Sequence, residues 1–308
     1  MSQNEAIVIE VGPEQAGRRL DRLLADRLEI SRARVRHLLE VGRISLGGRV
    51  LGLADKSHPG AAGESFTIEG ALLAADERPV ARADLDLEII SEGDDFLVVN
   101  KPAGCGVHPL RPDQEDTVLN AVVARFPEIM GIGEGGLRSG VVHRLDVDTS
   151  GALLFAKTEE AWKRMRGAFS DHRVDKRYYA LVAGHFANER RVDLPLEITS
   201  HQPAHVRVLD RGRPCRQRVT PLRTLTEATL VEVKLETGFL HQIRASMAHL
   251  GHPVLGDRDY FGEVAKPVLE IPRQMLHSQR IGMDGVFAEV DPPADFAAVL
   301  EGLTPAES

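Results

Sequence analysis

Asp146 stands in the run Gly140-Val141-Val142-His143-Arg144-Leu145-Asp146-Val147-Asp148-Thr149-Ser150-Gly151, ahead of the apolar stretch Ala152-Leu153-Leu154-Phe155-Ala156. A carboxylate held at a strand end by backbone on both sides can be aimed into a cleft, which suits nucleophilic or general-base chemistry. The same residue types also suit a plain surface turn, so the local pattern leaves both readings open. A second polar cluster, Glu236-Thr237-Gly238-Phe239-Leu240-His241-Gln242-Ile243-Arg244, leads into a helix through Met247 and Leu250 that ends at Gly251. Arg244 either faces the sheet and pairs with a buried carboxylate or stays in solvent. In Lys176-Arg177-Tyr178-Tyr179-Ala180-Leu181-Val182 strand alternation sends the two tyrosines to opposite faces, as core filler or as a stacking surface for a base. The loop Lys101-Pro102-Ala103-Gly104-Cys105-Gly106-Val107-His108-Pro109 holds two prolines and two glycines. It can bring Lys101 and His108 to a ligand, although Lys-Pro-Ala-Gly is also an ordinary turn.

Several chemistries are excluded by spacing. The glycines at 131, 133, 135, 136 and 140 are followed by no Lys-Ser or Lys-Thr and match no dinucleotide fingerprint, so this segment predicts a flexible loop that orders on substrate rather than a phosphate loop. His241, His249 and His252 lack metal spacing with any Cys or acidic partner, and no metal is expected. Cys105 and Cys215 are far apart and form no CxxC, which fits a reducing cytoplasm. Nothing reads as a secretory or membrane-spanning segment.

The elements that must position these residues fall into two domains. The chain has 308 residues, 43% of them hydrophobic, enough for a sizeable core. Its net charge of -8 argues against indiscriminate polyanion binding, yet the charge is uneven. From Arg18 to Arg49 there are nine arginines, no lysine and four acids. Asp76, Glu77, Asp84, Asp86, Glu88, Glu92, Asp94 and Asp95 then reverse the sign before Lys101. Domain limits are expected at 12–75, with an acidic linker over 76–84 and a larger body over 85–308.

Leu20, Leu23, Leu24 and Leu28 predict an amphipathic helix, and Ser31 caps a second one burying Val35, Leu38 and Leu39 and stopping at Gly42. Arg43-Ile44-Ser45-Leu46 and Arg49-Val50-Leu51 predict two short strands around Gly47-Gly48. Exposed arginines on such a helix can meet successive phosphates of a folded RNA, where a solvated face would not require guanidinium.

In the larger body, strands are predicted over 85–90, 96–100, 177–184, 192–198, 205–209 and 229–236. Helices are predicted after Asp116, taken as the cap, and near 159–172. Most strand-to-strand links are too short for a parallel crossover, which predicts an α+β domain with a mixed, largely antiparallel sheet.

In this order the motifs resemble the RluA-type pseudouridine synthases over essentially the whole chain. The carriers are His143-Arg144-Leu145-Asp146 with Thr149-Ser150-Gly151, Lys101-Pro102-Ala103-Gly104 with Val107-His108-Pro109, Lys176 and Tyr178 before Ala180-Leu181-Val182, His241-Gln242-Ile243-Arg244, and Gly251-His252-Pro253-Val254-Leu255-Gly256-Asp257. The N-terminal segment resembles the αL-type RNA-binding module named after the fourth protein of the small ribosomal subunit. The carriers there are Arg19-Leu20-Asp21-Arg22-Leu23-Leu24, Ser31-Arg32-Ala33-Arg34-Val35 and Gly42 to Val50, with Gly47 where that module usually has Asn.

The resemblance implies the pseudouridine synthase fold and isomerisation of uridine to pseudouridine in RNA without a cofactor. It makes Asp146 the catalytic carboxylate, Arg244 its counter-ion and Tyr178 a catalytic ring that would stack on the uracil and assist proton removal at its ring carbon. Arg144 would fill the space of the extruded base, and His143, His241, Ile243, Lys101 and His108 would join it at the substrate. Arg19, Arg22, Arg32, Arg34, Arg36 and Arg43 would contact RNA. Ribosomal RNA is the expected partner ahead of transfer RNA, and the enzyme is expected to be a cytoplasmic monomer that binds no membrane. Phe239-Leu240 and Ala245-Ser246 depart from the family's usual Arg-Thr and Val-His and bear on which RNA is modified. Two rival readings are an RNA-binding ribosome-assembly factor without turnover and a nucleosidase-type glycoside hydrolase.

Overall fold

The computed structural model describes residues 6–28, 30, 32–69, 78–201, 203–261 and 271–303. The chain divides into two compact units, Met1–Glu77 and Arg78–Ser308.

The first unit runs β1 (Ile7–Glu10), α1 (Leu20–Leu28), α2 (Arg32–Glu40), β2 (Ile44–Leu46), β3 (Arg49–Val50) and β4 (Ser65–Ile68). Its four strands order β1-β4-β2-β3 in an antiparallel sheet. Leu20, Leu23 and Leu24 of α1 and Val35 and Leu39 of α2 pack against Ile44, Phe66 and Ile68 of that sheet. Both predicted helices and the Gly47-Gly48 hairpin are present. The cap assigned to Ser31 lies outside the described residues. Strand β1 starts ahead of the expected boundary at residue 12, because its pairing partner β4 lies almost sixty residues downstream and leaves no local signal.

The acidic connection is not a free linker over its second half. The Arg82 amide donates to Asn120 O (3.0 Å), and its guanidinium pairs with Asp84 and Glu115. Residues 78–84 therefore fold onto the larger unit.

That unit runs β5 (Glu88–Glu92), β6 (Phe96–Lys101), α3 (Val118–Arg125), β7 (Ser150–Ala156), α4 (Glu159–Ser170), β8 (Asp175–Ala183), β9 (Arg190–His201), β10 (Ala204–Val208), β11 (Arg213–Thr224), β12 (Ala228–Leu235), α5 (Gln242–His249), β13 (Leu276–Met283), β14 (Val286–Glu289) and α6 (Ala294–Gly302). The sheet orders β10-β9-β11-β12-β8-β13-β7-β6-β5, with β14 paired to β13. Among the described residues only β13 and β7 run parallel, so the sheet is mixed and largely antiparallel. At that contact Gly151 has φ 109°, and a Cβ would stand 2.2 Å from Ser278 O, so only glycine lets β7 and β13 close here. Among the described residues no helix is long and apolar enough to cross a membrane.

Three local expectations change. Helix α3 begins after Thr117, whose amide and hydroxyl both donate to Asn120 Oδ1 (3.1 and 2.6 Å), and Asp116 is not its cap. The glycine-rich segment is bonded in place: Gly131 N donates to Ser139 Oγ, Gly133 N to the Glu159 carboxylate and Gly140 N to Ile132 O. Asp146 does not end a strand. Val141 makes one isolated bridge to Phe155, and the regular strand starts only at Ser150.

Candidate active site

Residues 142–149 lack regular secondary structure, so the position of Asp146 is set by ties on three sides. From β6, the fully buried Lys101 donates from Nζ to the carbonyls of Pro102 (2.7 Å), Cys105 (2.6 Å) and Val147 (2.7 Å). One ammonium thus fastens the Lys-Pro-Ala-Gly loop to the residue beside Asp146. Ahead of β13, Arg273 donates to Asp148 O (3.0 Å) and Ser150 Oγ (3.3 Å), and is itself forked onto Asp295. Gln274 holds Thr149 Oγ1 (2.8 Å). On the third side His143 Nε2 accepts the Leu154 amide (3.0 Å), and its ring stacks on Phe169. Burial, with the charges of Lys176 and Arg166, pushes the His143 pKa down to about 3 and keeps that acceptor unprotonated.

The counter-ion comes from the first turn of α5. Arg244 donates from Nη1 to Asp146 Oδ2 (3.0 Å), from Nε and Nη2 to Asp257 (2.7 and 2.8 Å), and from Nη2 to Asp259 (2.8 Å). Its guanidinium also lies 5.0 Å from the centre of the Tyr260 ring. Burial opposes its charge, but the carboxylates, Asp257 foremost, outweigh this and raise its pKa. His241, at φ 50°, precedes α5 and sets Nδ1 2.9 Å from the Tyr260 hydroxyl and Nε2 3.9 Å from Asp146 Oδ1. The Tyr260 oxygen also accepts the Val206 amide (2.8 Å).

Asp146 opens into a cleft of about 550 Å³, large enough for a nucleotide. Tyr178, on β8, also lines it, while Tyr179 packs with Leu181 and Leu255 on the other face of the sheet. Only one of the adjacent tyrosines is therefore available to a substrate. Burial pushes the Tyr178 phenol up to about 12, with a Ser278 hydrogen bond opposing and the Asp146 charge adding to the shift, so it is protonated at neutral pH. Arg138, Arg144, Arg166, Lys176 and Arg213 line the cleft against Glu134 and Asp146 alone. A chain of net charge -8 thus carries a locally positive cavity, which concentrates anionic substrates.

Of the residues singled out in the sequence, Asp146, Arg144, His143, His108, Tyr178 and His241 share this cleft. Arg244 and Ile243 line a smaller recess beside Asp146. His108 Nδ1 is engaged with Pro109 O (2.9 Å). Lys101 does not reach the cavity: three carbonyls use its three hydrogens, and its part is to position the turn. Asp257, Asp259, Tyr260, Arg273 and Gln274 escaped sequence reasoning as parts of the site.

In the N-terminal unit the arginines divide. Arg19 (3.1 Å), Arg32 (2.8 Å) and Arg36 (3.3 Å) converge on the fully buried Asp21, while each stays nearly half exposed. Burial raises the Asp21 pKa, but hydrogen bonds from these arginines hold it far below the usual carboxylate range. Arg22 and Arg43 are exposed, and the Arg34 side chain lies outside the described residues.

Comparison with known proteins agrees with this geometry. A family model described as RNA pseudouridylate synthase matches residues 95–249. The chain is 35% identical over 296 residues to "Ribosomal large subunit pseudouridine synthase D" of Pseudomonas aeruginosa, covering 92% of this chain and 88% of the relative. It is 37% identical to the protein of the same name from Zymomonas mobilis, covering 87% and 86%. Among solved structures, "Human RNA Pseudouridylate Synthase Domain Containing 1" superposes with a TM-score of 0.56 at 29% identity, covering 72% of this chain and 89% of that one.

Proposed function

The chain belongs to the RNA pseudouridylate synthase family, and on that premise we propose that Asp146 isomerises uridine to pseudouridine in large-subunit ribosomal RNA. The observation that carries the reading is Asp146 bonded to Arg244 at 3.0 Å, sharing a positively lined cleft with Tyr178. Glycosidic cleavage needs a carboxylate at the ribose, either bonding to the anomeric carbon or taking a ribose proton. Arg244 pairs with the Asp146 carboxylate at 3.0 Å. Tyr178 offers a flat ring for the uracil, and as a protonated phenol it supports stacking rather than base catalysis. A uridine reaches this cleft only when extruded from its stack, at roughly a few kcal/mol. Arg144, exposed beside Asp146, is suited to fill the gap, since a guanidinium stacks and binds phosphate.

The ribosomal target is supported by the names of the relatives and by the exposed arginines of the N-terminal unit, with transfer RNA the weaker reading. Cys105 and Cys215 are both free, which fits work in a reducing cytoplasm.

The test is to delete the gene, map pseudouridine across cellular RNA, and complement with wild type or Asp146→Asn. Sites should vanish on deletion and return only with wild type, Asn costing on the order of 10⁴-fold or more in rate. Because three carboxylates crowd one guanidinium, Asp146→Asn should melt no lower than wild type. Full restoration by Asn would remove Asp146 from the chemistry, and free uracil from purified enzyme would point to hydrolysis.

A further inference from the structure

Four buried cations surround the Asp146 turn, and they differ in what remains for a ligand. Arg273 is forked onto Asp295 and bonded to the turn itself. Arg244 is opposed by three carboxylates. Lys101 spends every hydrogen on a carbonyl. Lys176, only 6% exposed, makes one hydrogen bond, to Thr237 O at 3.1 Å, and rests 5.7 Å from the centre of the Phe169 ring. Two of its hydrogens are free of protein acceptors, and it joins no ion pair among the described residues. It lines the cleft together with Asp146 and stands two residues from Tyr178 on the same face of β8.

Resting on the pseudouridine synthase reading, we infer that Lys176 is a further catalytic residue, its ammonium receiving an oxygen of the uracil and stabilising the anion formed when the base leaves the ribose. Breaking the C1′–N1 bond sends its electron pair to N1, delocalised onto O2 and O4. Asp146 either bonds to C1′ or accepts a ribose proton, and both routes leave the negative charge on the uracil. The same pair then forms the C5–C1′ bond, and Asp146 releases C1′ or returns the proton. The C5 hydrogen departs to solvent as a proton while N1, regaining the pair of the C5–H bond, takes up a proton in its place, so that no net proton is gained or lost. A preorganised donor acts most strongly on charge that exists only along this path.

The surroundings favour a base oxygen over a phosphate. The titratable groups that line the cleft with it are His143, Arg144 and Asp146 from the turn, Arg166 and His172 from the α4 side, Tyr178 on β8, Arg213, His241, His108 and the Arg138–Glu134 pair. Arg144, Arg166 and Arg213 are exposed, as a backbone contact requires, whereas Lys176 is buried two residues from Tyr178. Burial alone lowers its pKa to about 8. Holding an unneutralised ammonium there weakens the folded state, as is common where a site is built for a reaction.

The experiment compares full-length wild type, Lys176→Met and Lys176→Arg on an RNA substrate, measuring affinity, single-turnover rate at saturating RNA and thermal stability. Lys176→Met should keep RNA affinity within about threefold while the saturated rate falls roughly 10²–10³-fold. It should melt at or above the wild-type temperature, and Lys176→Arg, which keeps the charge, should recover at least about tenfold of the lost rate. Weak binding with a wild-type saturated rate would assign the ammonium to phosphate and overturn the inference. A fall in stability, or failure to fold, would make Lys176 a structural tie and overturn it equally. If the wild type forms no pseudouridine in any RNA, it is the proposed function that fails.

Discussion

Asp257→Asn isolates what holds the counter-ion of Asp146. The Asp257 carboxylate is 1% exposed and accepts four hydrogen bonds: Oδ1 takes Arg244 Nη2 and the amides of Asp259 (3.0 Å) and Tyr260 (3.2 Å), and Oδ2 takes Arg244 Nε alone. Asparagine keeps the most bonds with its oxygen at the Oδ1 position, which turns its NH2 toward Arg244 Nε. One charge-assisted bond of about 1.5–3 kcal/mol is lost, and a donor then faces a donor without water between them. Opening a buried pair costs about 3–5 kcal/mol; with Asp146 and Asp259 still on the guanidinium, the lower end, about 3 kcal/mol, applies. In a unit of this size that corresponds to roughly 6–12 °C in Tm. Nη1 is turned away from Asp146 at the same time, and a displacement of about 1 Å costs on the order of 10²-fold in rate. Thermal unfolding and single-turnover pseudouridine formation read both effects. Asp259→Asn is the control, since that carboxylate is 50% exposed and should cost less than about 1 kcal/mol. If Asp257→Asn melts with the control and turns over at the wild-type rate, the anchoring argument is refuted.

Acid should weaken the fold through His143. Its folded pKa of about 3 lies below the ordinary 6.5, so between these values the unfolded chain binds a proton that the native ring refuses. Its contribution is complete above about pH 6.5 and is lost as pH falls, reaching about 2–3 kcal/mol near pH 4.5. In His143→Gln, whose amide oxygen can still accept the Leu154 amide, pH-dependent denaturation should show a shallower slope in that window. Lys101→Met strands three buried carbonyls and should cost about 3 kcal/mol in urea denaturation, with a lower turnover rate because Val147 is released beside Asp146. Asp21→Asn removes the carboxylate shared by three half-exposed arginines. It should cost the N-terminal unit about 2–3 kcal/mol, seen as faster amide exchange in α1 and α2, with weaker RNA affinity and an unchanged saturated rate.

Much of the fold follows from local pattern. The spacing of Leu20, Leu23 and Leu24 places α1, the alternation after Lys176 places β8, and short links predict the antiparallel sheet. What escapes is long-range. Strands β1 and β13 pair with β4, β7 and β8, far away in sequence, and their residues look no different from loop neighbours until those partners arrive. The Gly131 to Gly140 segment misleads for a related reason. Glycine content signals freedom in the unfolded chain, whereas its order comes from Ser139 and Glu159 reaching back onto its amides.

The site divides along the same line. Motif order singles out Asp146, Tyr178 and Arg244 as candidates, but motif order carries no count of hydrogen bonds, and the work of a buried cation depends on that count. Lys101 and Lys176 are the same residue type, each sits in a family motif, and burial lowers the pKa of each to about 8. Lys101 meets three carbonyls and becomes a structural tie; Lys176 meets one and keeps hydrogens for something else. Substitution by methionine should therefore move their stabilities in opposite directions, down for Lys101 and level or up for Lys176. That contrast separates a lysine that holds a turn from one held ready for a substrate.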